Sequence, residues 1–278
     1  MVKKLSKFSL AKLRFNTTVG KKYVMAITGL AMCLFLVGHL AGNLLLVWGA
    51  DKFNAYANFL TPLPLIPIIE LGLLAIVSIH IIDSLTLLRL NYAARPVPYH
   101  SKTWARTKSP RSKKTWASTM MMWTGMIILF FLIFHVWHFK YHHPVASEPV
   151  GNGHNSSVVV GVGGGGIGAA GQSTTGENGG KEVYDLAKLV VNEFSNPLVT
   201  LLYLACMIAL GMHLYHAVSS AFTSLGANHP RYQKGLMRVG NLFTFVVVGG
   251  FILIPLLTYV GFVKIDAPKP SQTASISR

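Results

Sequence analysis

The chain has 278 residues, of which 51% are hydrophobic and only 12% are charged, and its formal net charge is +16. A soluble domain of this size carries about twice that charged fraction, so the composition excludes an ordinary soluble globular protein. The sequence pI near 10.0 is compatible with nucleic-acid binding, but no nucleic-acid-binding motif accompanies the charge, and nucleic acid is not an expected partner. Neither cysteine lies in a CxxCH sequence, which excludes a covalently attached c-type haem.

Five long apolar runs follow one another along the chain. Each has at least the ~20 residues that an α-helix needs to cross a ~30 Å hydrocarbon core. Because backbone polar groups in lipid must be satisfied within the segment, the runs are predicted to be helices rather than strands. The predicted spans are 23–48, 63–88, 118–139, 197–222 and 239–263. The predicted fold class is therefore an all-α integral membrane protein with five transmembrane helices.

Basic residues indicate the orientation of these spans. Segments 1–22, 89–117 and 223–238 carry seven, eight and three Lys or Arg residues and no acidic residue. The positive-inside rule places all three on the cytoplasmic side. The expected organisation is a basic cytoplasmic N-terminus (1–22), a five-helix membrane domain (23–263) and an outer C-terminal tail (264–278).

Residues 145–182 differ in composition from the rest of the chain. Gly and Ser dominate most of this segment, which is typical of a linker that has little to bury. Its GVGGGGIG stretch satisfies a GxGxxG pattern, but no βαβ unit surrounds it, so it does not indicate a dinucleotide site. A flexible outer loop is predicted.

Each of the first four predicted helices carries a histidine well inside its apolar run, and the fifth run carries none. They are His39, His80, His135 and His213, with His138 and His216 three residues after the last two. Successive helices cross the membrane in opposite directions. Similar fractional depths therefore place the first and third histidines in the outer half and the second and fourth in the inner half. In a four-helix bundle, these helices are diagonal partners.

A low-spin b haem takes two imidazoles, one on each face of its plane. Two such haems, one for each pair, would account for all four histidine positions. A lone intramembrane histidine often does no more than hydrogen-bond a neighbouring helix, but four of them at depths that pair by leaflet favour a di-haem bundle. The three-residue spacing alone does not choose between His135 and His138, or between His213 and His216.

Several stretches resemble a known family. They are VGKKYVMAITGLAMCLFLVGHLAGNLLL, FNAYANFL, IIELGLLAIVSIHIIDSLTL followed by ARPVPY, and MHLYHAVSSAFTSLGANH. In this order, they resemble the five-helix cytochrome b subunit of succinate dehydrogenases and fumarate reductases that use menaquinone. The resemblance covers about residues 17–141 and 183–262.

The resemblance implies an anchor in the bacterial cytoplasmic membrane that holds two b haems and exchanges electrons with menaquinone. It also implies a flavoprotein and an iron–sulfur subunit docked on the cytoplasmic face. The chain carries no recognisable flavin site, iron–sulfur cysteine set or dicarboxylate site. Its share of the reaction would therefore be quinone reduction or oxidation.

The resemblance also implies which residues bind the iron atoms. It matches the outer haem to His39 and His135 and the inner haem to His80 and His213. The FHVW stretch favours His135 over the histidine three residues later. The interval to Gly226 favours His213 over its own neighbour.

Two acidic residues lie within the predicted spans, where carboxylates are costly and often functional. Glu70, near the outer start of the second span, either relays protons to a quinone or hydrogen-bonds a neighbouring helix. Asp83 follows His80 by one turn and is expected to pair with Arg89 rather than to support the histidine.

Two other interpretations fit the same residues. One is the di-haem anchor of a different respiratory enzyme, such as a hydrogenase or a formate dehydrogenase, which differs in its partner proteins. The other is a haem-free proton-coupled transporter whose histidines form a proton relay. The purified transporter would be colourless.

Overall fold

The computed structural model describes residues 17–94, 97, 116–141, 185–227 and 229–263. Within these ranges the chain forms seven α-helices and no strand, and a π-helical turn extends the fourth helix. The elements are α1 (Thr18–Trp48), α2 (Ala50–Leu60), α3 (Leu65–Ala93), α4 (Trp116–Val136) with the π turn (Trp137–Tyr141), α5 (Leu186–Ser195), α6 (Pro197–Ser224) and α7 (Pro230–Tyr259).

Five of these helices are long and apolar enough to cross a membrane: α1, α3, α4 with its π turn, α6 and α7. The shortest has 26 residues, which at ~1.5 Å per residue exceeds the ~30 Å hydrocarbon core. The prediction of an all-α membrane protein with five spans is confirmed. The glycine-rich segment 145–182, the tail 264–278 and most of the basic segments 1–22 and 89–117 lie outside the described residues.

Two spans begin before their apolar runs because polar residues cap them. The Thr17 hydroxyl accepts a hydrogen bond from the Gly20 N–H at 3.1 Å at the start of α1. The His229 Nδ1 accepts from the Arg231 N–H at 3.2 Å at the start of α7, where Pro230 occupies the first turn. Both are common devices for starting a helix. Hydropathy alone therefore predicts starts that are too late.

The long helices α3, α1, α6 and α4 pack in this order, and α7 lies beside α6 and α1. α1 and α6 contact each other at the centre, α3 packs on α1, α4 packs on α6, and α7 packs against both α6 and α1. Among the described helices, α3 packs extensively only on α1, and α4 packs extensively only on α6 and its own π turn. The packing order is thus α3, α1, α6, α4, so α1 and α4 are two places apart in this order, and so are α3 and α6.

Two short helices close one end of the bundle, where α1 ends and α6 begins; we call it the outer end, following the predicted orientation. The Asn54 side chain on α2 donates to Oδ1 of Asp185, the N-cap of α5, at 2.8 Å and accepts from the Ala187 N–H at 2.9 Å. Beneath this link lies a buried apolar core formed by Leu40, Leu46, Phe53, Ala187, Val190, Phe194, Tyr203, Ile254 and Val263. The short helices were not predicted because they are too short to span a membrane.

Gly250 of α7 is a point of close approach between α7 and α1. A methyl group there would lie 2.8 Å from both Cδ atoms of the buried Leu40, whereas one at the adjacent Gly249 would have no neighbour within 4 Å. We expect Gly250→Ala to destabilise the fold by about 1–3 kcal/mol. Gly249→Ala is the matched control, since it gains the same helix propensity without the clash. Thermal unfolding in detergent measures both, and equal midpoints would show that Leu40 moves aside without cost.

Candidate functional site

Threonines of the neighbouring helices hold the two histidines of the inner pair. The Nδ1 atom of His80 on α3 lies 3.0 Å from the hydroxyl of Thr28 on α1. The Nδ1 atom of His213 on α6 lies 3.2 Å from the hydroxyl of Thr124 on α4. Each threonine hydroxyl also donates its own hydrogen to the main-chain carbonyl four residues earlier, at 2.8 Å and 3.0 Å respectively. The two halves of the inner pair are therefore built alike.

These contacts bear on which ring nitrogen carries the hydrogen. When the hydroxyl gives its hydrogen to the carbonyl, it can only accept from the imidazole, and Nδ1 is then the protonated nitrogen in both rings. No described residue hydrogen-bonds either Nε2 atom, which leaves its lone pair available. A neutral imidazole whose Nδ1–H is held and whose Nε2 is free is the form that ligates a metal.

A glycine follows each of these threonines and lets the opposing ring approach the helix. A methyl group at Gly29 would lie 3.5 Å from Cε1 of His80, and one at Gly125 would lie 3.6 Å from Cε1 of His213. Each imidazole thus rests against the backbone of the helix that holds it.

The threonines belong to a pattern that α1 and α4 share. Residues 28–39 and 124–135 both read Thr-Gly-x5-Phe-Leu-x2-His. Because eleven residues make about three turns, the Thr, Phe and His of each copy line one face of the helix. Phe35 stacks on His39 at 5.4 Å between ring centroids, and Phe131 lies 5.5 Å from His135. The histidine spacing alone does not predict the threonines, but an alignment of the two runs does.

The outer pair meets across the bundle. The ring centroids of His39 on α1 and His135 on α4 lie 5.9 Å apart, with their planes at 80°. Phe251 of α7 adds a wall 5.7 Å from the His39 ring. The structure thus brings together the two histidines that the depth argument assigned to one level.

Tyr203 of α6 joins His135 to His138. Its phenolic oxygen lies 3.3 Å from Nδ1 of His135 and 3.0 Å from Nδ1 of His138, whose Nε2 lies 2.9 Å from Oε2 of Glu193 on α5. A carboxylate only accepts, so a neutral His138 donates to Glu193 and accepts from the Tyr203 hydroxyl. The phenolic oxygen then accepts from Nδ1–H of His135. The Nε2 atom of His135 keeps its lone pair and has no hydrogen-bond partner among the described residues.

These contacts distinguish the two candidate histidines of α4. Both nitrogens of His138 are hydrogen-bonded, and its buried ring stacks on Phe134 at 5.0 Å. It lies in the π turn, a kind of element found frequently at functional sites. The geometry therefore favours His135 as the candidate metal ligand of α4. His138 contacts Tyr203, which in turn contacts His135. On α6 the criterion is different: Thr124 and Gly125 of α4 contact His213, which makes it the candidate there.

No protein-family model, curated protein or solved structure matches this chain. In the part of the chain that the structure describes, no three His, Cys, Asp or Glu side chains converge on one point, as a structural zinc site would require. Of the four candidate histidines, His39 and His135 are the two whose rings contact each other.

The two intramembrane acids contact other helices. The Glu70 carboxylate accepts from the Lys140 ammonium at 2.6 Å, with both side chains about half exposed, and so links α3 to the end of α4. No described hydrogen bond joins Glu70 to a histidine, so its geometry matches the helix-contact interpretation. Asp83 lies 3.5 Å from the ammonium of Lys21 on α1. The predicted pairing with Arg89 is wrong because α3 packs on α1 and turns Asp83 toward that helix.

Proposed function

We propose that this chain is the di-haem cytochrome b subunit that anchors a succinate dehydrogenase or fumarate reductase in the membrane. It exchanges electrons between the iron–sulfur subunit of that enzyme and menaquinone. The observation that carries the proposal is the set of four histidines on four packed helices, in which the rings of His39 and His135 meet and Nδ1 of His80, His135 and His213 lies beside a hydroxyl. The sequence motifs, in their order, support the choice of family. A bacterial cytoplasmic membrane and a cytoplasmic N-terminus belong to the proposal.

The residues of both pairs fit a b haem. His39 and His135 would hold the outer one, and His80 and His213 the inner one. When bound, haem supplies one-electron redox chemistry, and the protein sets its ligation and surroundings. The Nδ1 contacts orient the rings, and aromatic side chains pack beside the outer pair.

The proposed partners rest on the resemblance together with the charge of the inner end. Arg231, Lys234 and Arg238 are exposed on the first turns of α7, at the end opposite the α2–α5 cap. An exposed basic face suits the docking of an acidic protein surface or anionic lipid. The flavoprotein and the iron–sulfur subunit would dock at this face.

A second candidate function has one observation in its favour. The hydrogen bonds from Glu193 through His138 and Tyr203 to His135 are continuous, and such a chain also suits a proton relay in a haem-free transporter. The two candidates differ in colour, because only the cytochrome absorbs visible light.

A pyridine haemochrome assay on the purified full-length chain tests the proposal. We expect two b haems per chain and one fewer when any one of the four paired histidines is replaced by alanine, since each haem then lacks an axial ligand. His229→Ala, outside both pairs, is the control and should keep both haems. A folded preparation without haem would support the transporter, and a single haem would mean that only one pair binds.

The partner proteins are tested by purification of the intact complex from its native membrane. Co-purification of a flavoprotein and an iron–sulfur protein with succinate-dependent reduction of the haems is the expected result. A hydrogenase or formate dehydrogenase subunit in their place would retain the di-haem anchor and overturn the choice of enzyme.

A further inference from the structure

We propose that Glu193, His138 and Tyr203 form a positioning chain that holds the outer ligand His135 in its Nδ1-protonated form and polarises it with a negative charge. The tautomer part stands on the contacts alone. The redox consequence rests on the proposed function.

The chain is directional. The Glu193 carboxylate accepts from His138 at 2.9 Å, His138 accepts from the Tyr203 hydroxyl at 3.0 Å, and the phenolic oxygen accepts from His135 at 3.3 Å. With His138 neutral, His135, Tyr203 and His138 each donate their one hydrogen toward Glu193. Reversing any one of these three bonds would set two donors or two acceptors against each other, so the three contacts are mutually consistent in this direction.

The carboxylate is held in place and partly shielded from water. The side chain of Glu193 is 20% exposed and that of His138 only 6%. The helix that carries Glu193 is anchored on both sides of it, because Val190 and Phe194 lie in the outer core. A fixed charge in such surroundings acts on its neighbours more strongly than a solvated one.

The outer pair differs from the inner pair in this respect. The inner ligands donate to neutral threonine hydroxyls, whose hydrogens go to main-chain carbonyls. His135 donates to a phenol that leads to a carboxylate. An imidazole whose N–H is drawn toward a negative charge is more basic toward a metal and stabilises its oxidised state. The chain therefore makes the outer haem harder to reduce than a neutral acceptor would.

A redox titration of the full-length, haem-loaded protein tests this consequence, with electron paramagnetic resonance to resolve the two haems. The outer haem is identified as the one that His39→Ala removes. In Tyr203→Phe, we expect the reduced-to-oxidised ratio of the outer haem at a fixed potential to rise at least about threefold, as the loss of a charge-assisted hydrogen bond implies. Glu193→Gln should act in the same direction by a smaller factor, and the inner haem should not change.

Tyr259→Phe is the matched control, because Tyr259 is an exposed tyrosine at the same end of the bundle and should change neither haem. An unchanged outer haem in both Tyr203→Phe and Glu193→Gln would overturn the redox consequence. Equal shifts of the two haems would do the same, since they would indicate a general structural change. If Tyr203→Phe loses the outer haem altogether, Glu193→Gln decides.

A second measurement does not need haem. Nitrogen-15 spectra of histidine-labelled protein prepared without haem should show His135 protonated at Nδ1 and, in Tyr203→Phe, a shift toward protonation at Nε2. The same tautomer in both proteins would overturn the positioning chain. A wild-type protein that never binds haem would refute the proposed function, while this spectrum would still decide whether the chain sets the tautomer.

Discussion

His135→Ala is expected to lower the b haem content of the purified chain from two to one, whereas His138→Ala is expected to leave both haems in place. The two residues are three positions apart on the same span, but only His135 has a ring contact with His39, and its Nε2 has no hydrogen-bond partner among the described residues. Both ring nitrogens of His138 are hydrogen-bonded, one to Tyr203 and the other to Glu193. Pyridine haemochrome spectra of the two variants, normalised to protein, measure the difference.

His138→Ala should instead lower the stability of the fold, and this loss of stability shows that the substitution has acted although the haem content is unchanged. It leaves the Tyr203 hydroxyl and the Glu193 carboxylate without His138, which should destabilise the fold by about 1–3 kcal/mol while the haems remain. The corresponding comparison on α6 sets His213→Ala, which should lose the inner haem, against His216→Ala, which should not. Loss of haem from His138→Ala and its retention in His135→Ala would reverse the ligand assignment.

Replacement of Thr28 or Thr124 by valine is expected to lower the affinity for the inner haem by about 10–100-fold. This is the usual effect of removing the hydrogen-bond partner of a ligating imidazole. Valine keeps the shape of Thr28 or Thr124 but removes the acceptor that holds Nδ1–H of the opposing ring. The rate of haem transfer to an excess of a haem-free globin measures the change. Serine at the same position should restore retention, because it returns the hydroxyl.

Thr244→Val is the matched control for these variants. Thr244 is also buried and donates to a carbonyl four residues earlier, at 2.9 Å, but it lies on α7, which carries no histidine. Thr244→Val should lower the stability of the fold by the contribution of one hydrogen bond and should leave the haem content unchanged. If all three valine variants release haem equally, the effect comes from helix packing rather than from the contact with the ring.

The five spans were predictable because the bilayer fixes the length of an apolar helix, and sequence length converts directly into depth. The same conversion predicted that His39 and His135 share a level, and their rings do meet. The short helices α2 and α5 were not predictable from apolar length, and the capped starts at Thr17 and His229 lie beyond the reach of hydropathy.

The parts of the site that escaped prediction depend on how each helix is rotated about its axis. The partner of Asp83 is Lys21 on another helix, and sequence spacing within one helix does not reveal such a neighbour. In the sequence, Tyr203 is a single polar residue in an apolar run. Only the packing of α6 on α4 shows that it contacts both His135 and His138. Thr28 and Thr124 are the exception, since their shared spacing to His39 and His135 is visible in the sequence.

That shared spacing also measures how far apart the two histidine levels lie. Thr28 marks the depth of the inner pair on α1 and His39 marks the outer level, eleven residues farther along the same helix. At ~1.5 Å per residue the separation is about 16 Å, or roughly half of a ~30 Å hydrocarbon core. A full crossing against 100 mV changes the energy of one elementary charge by about 2.3 kcal/mol, so an electron that moves between the levels gains or loses about 1 kcal/mol. In the proposed function, membrane voltage would therefore bias which of the two haems holds the electron.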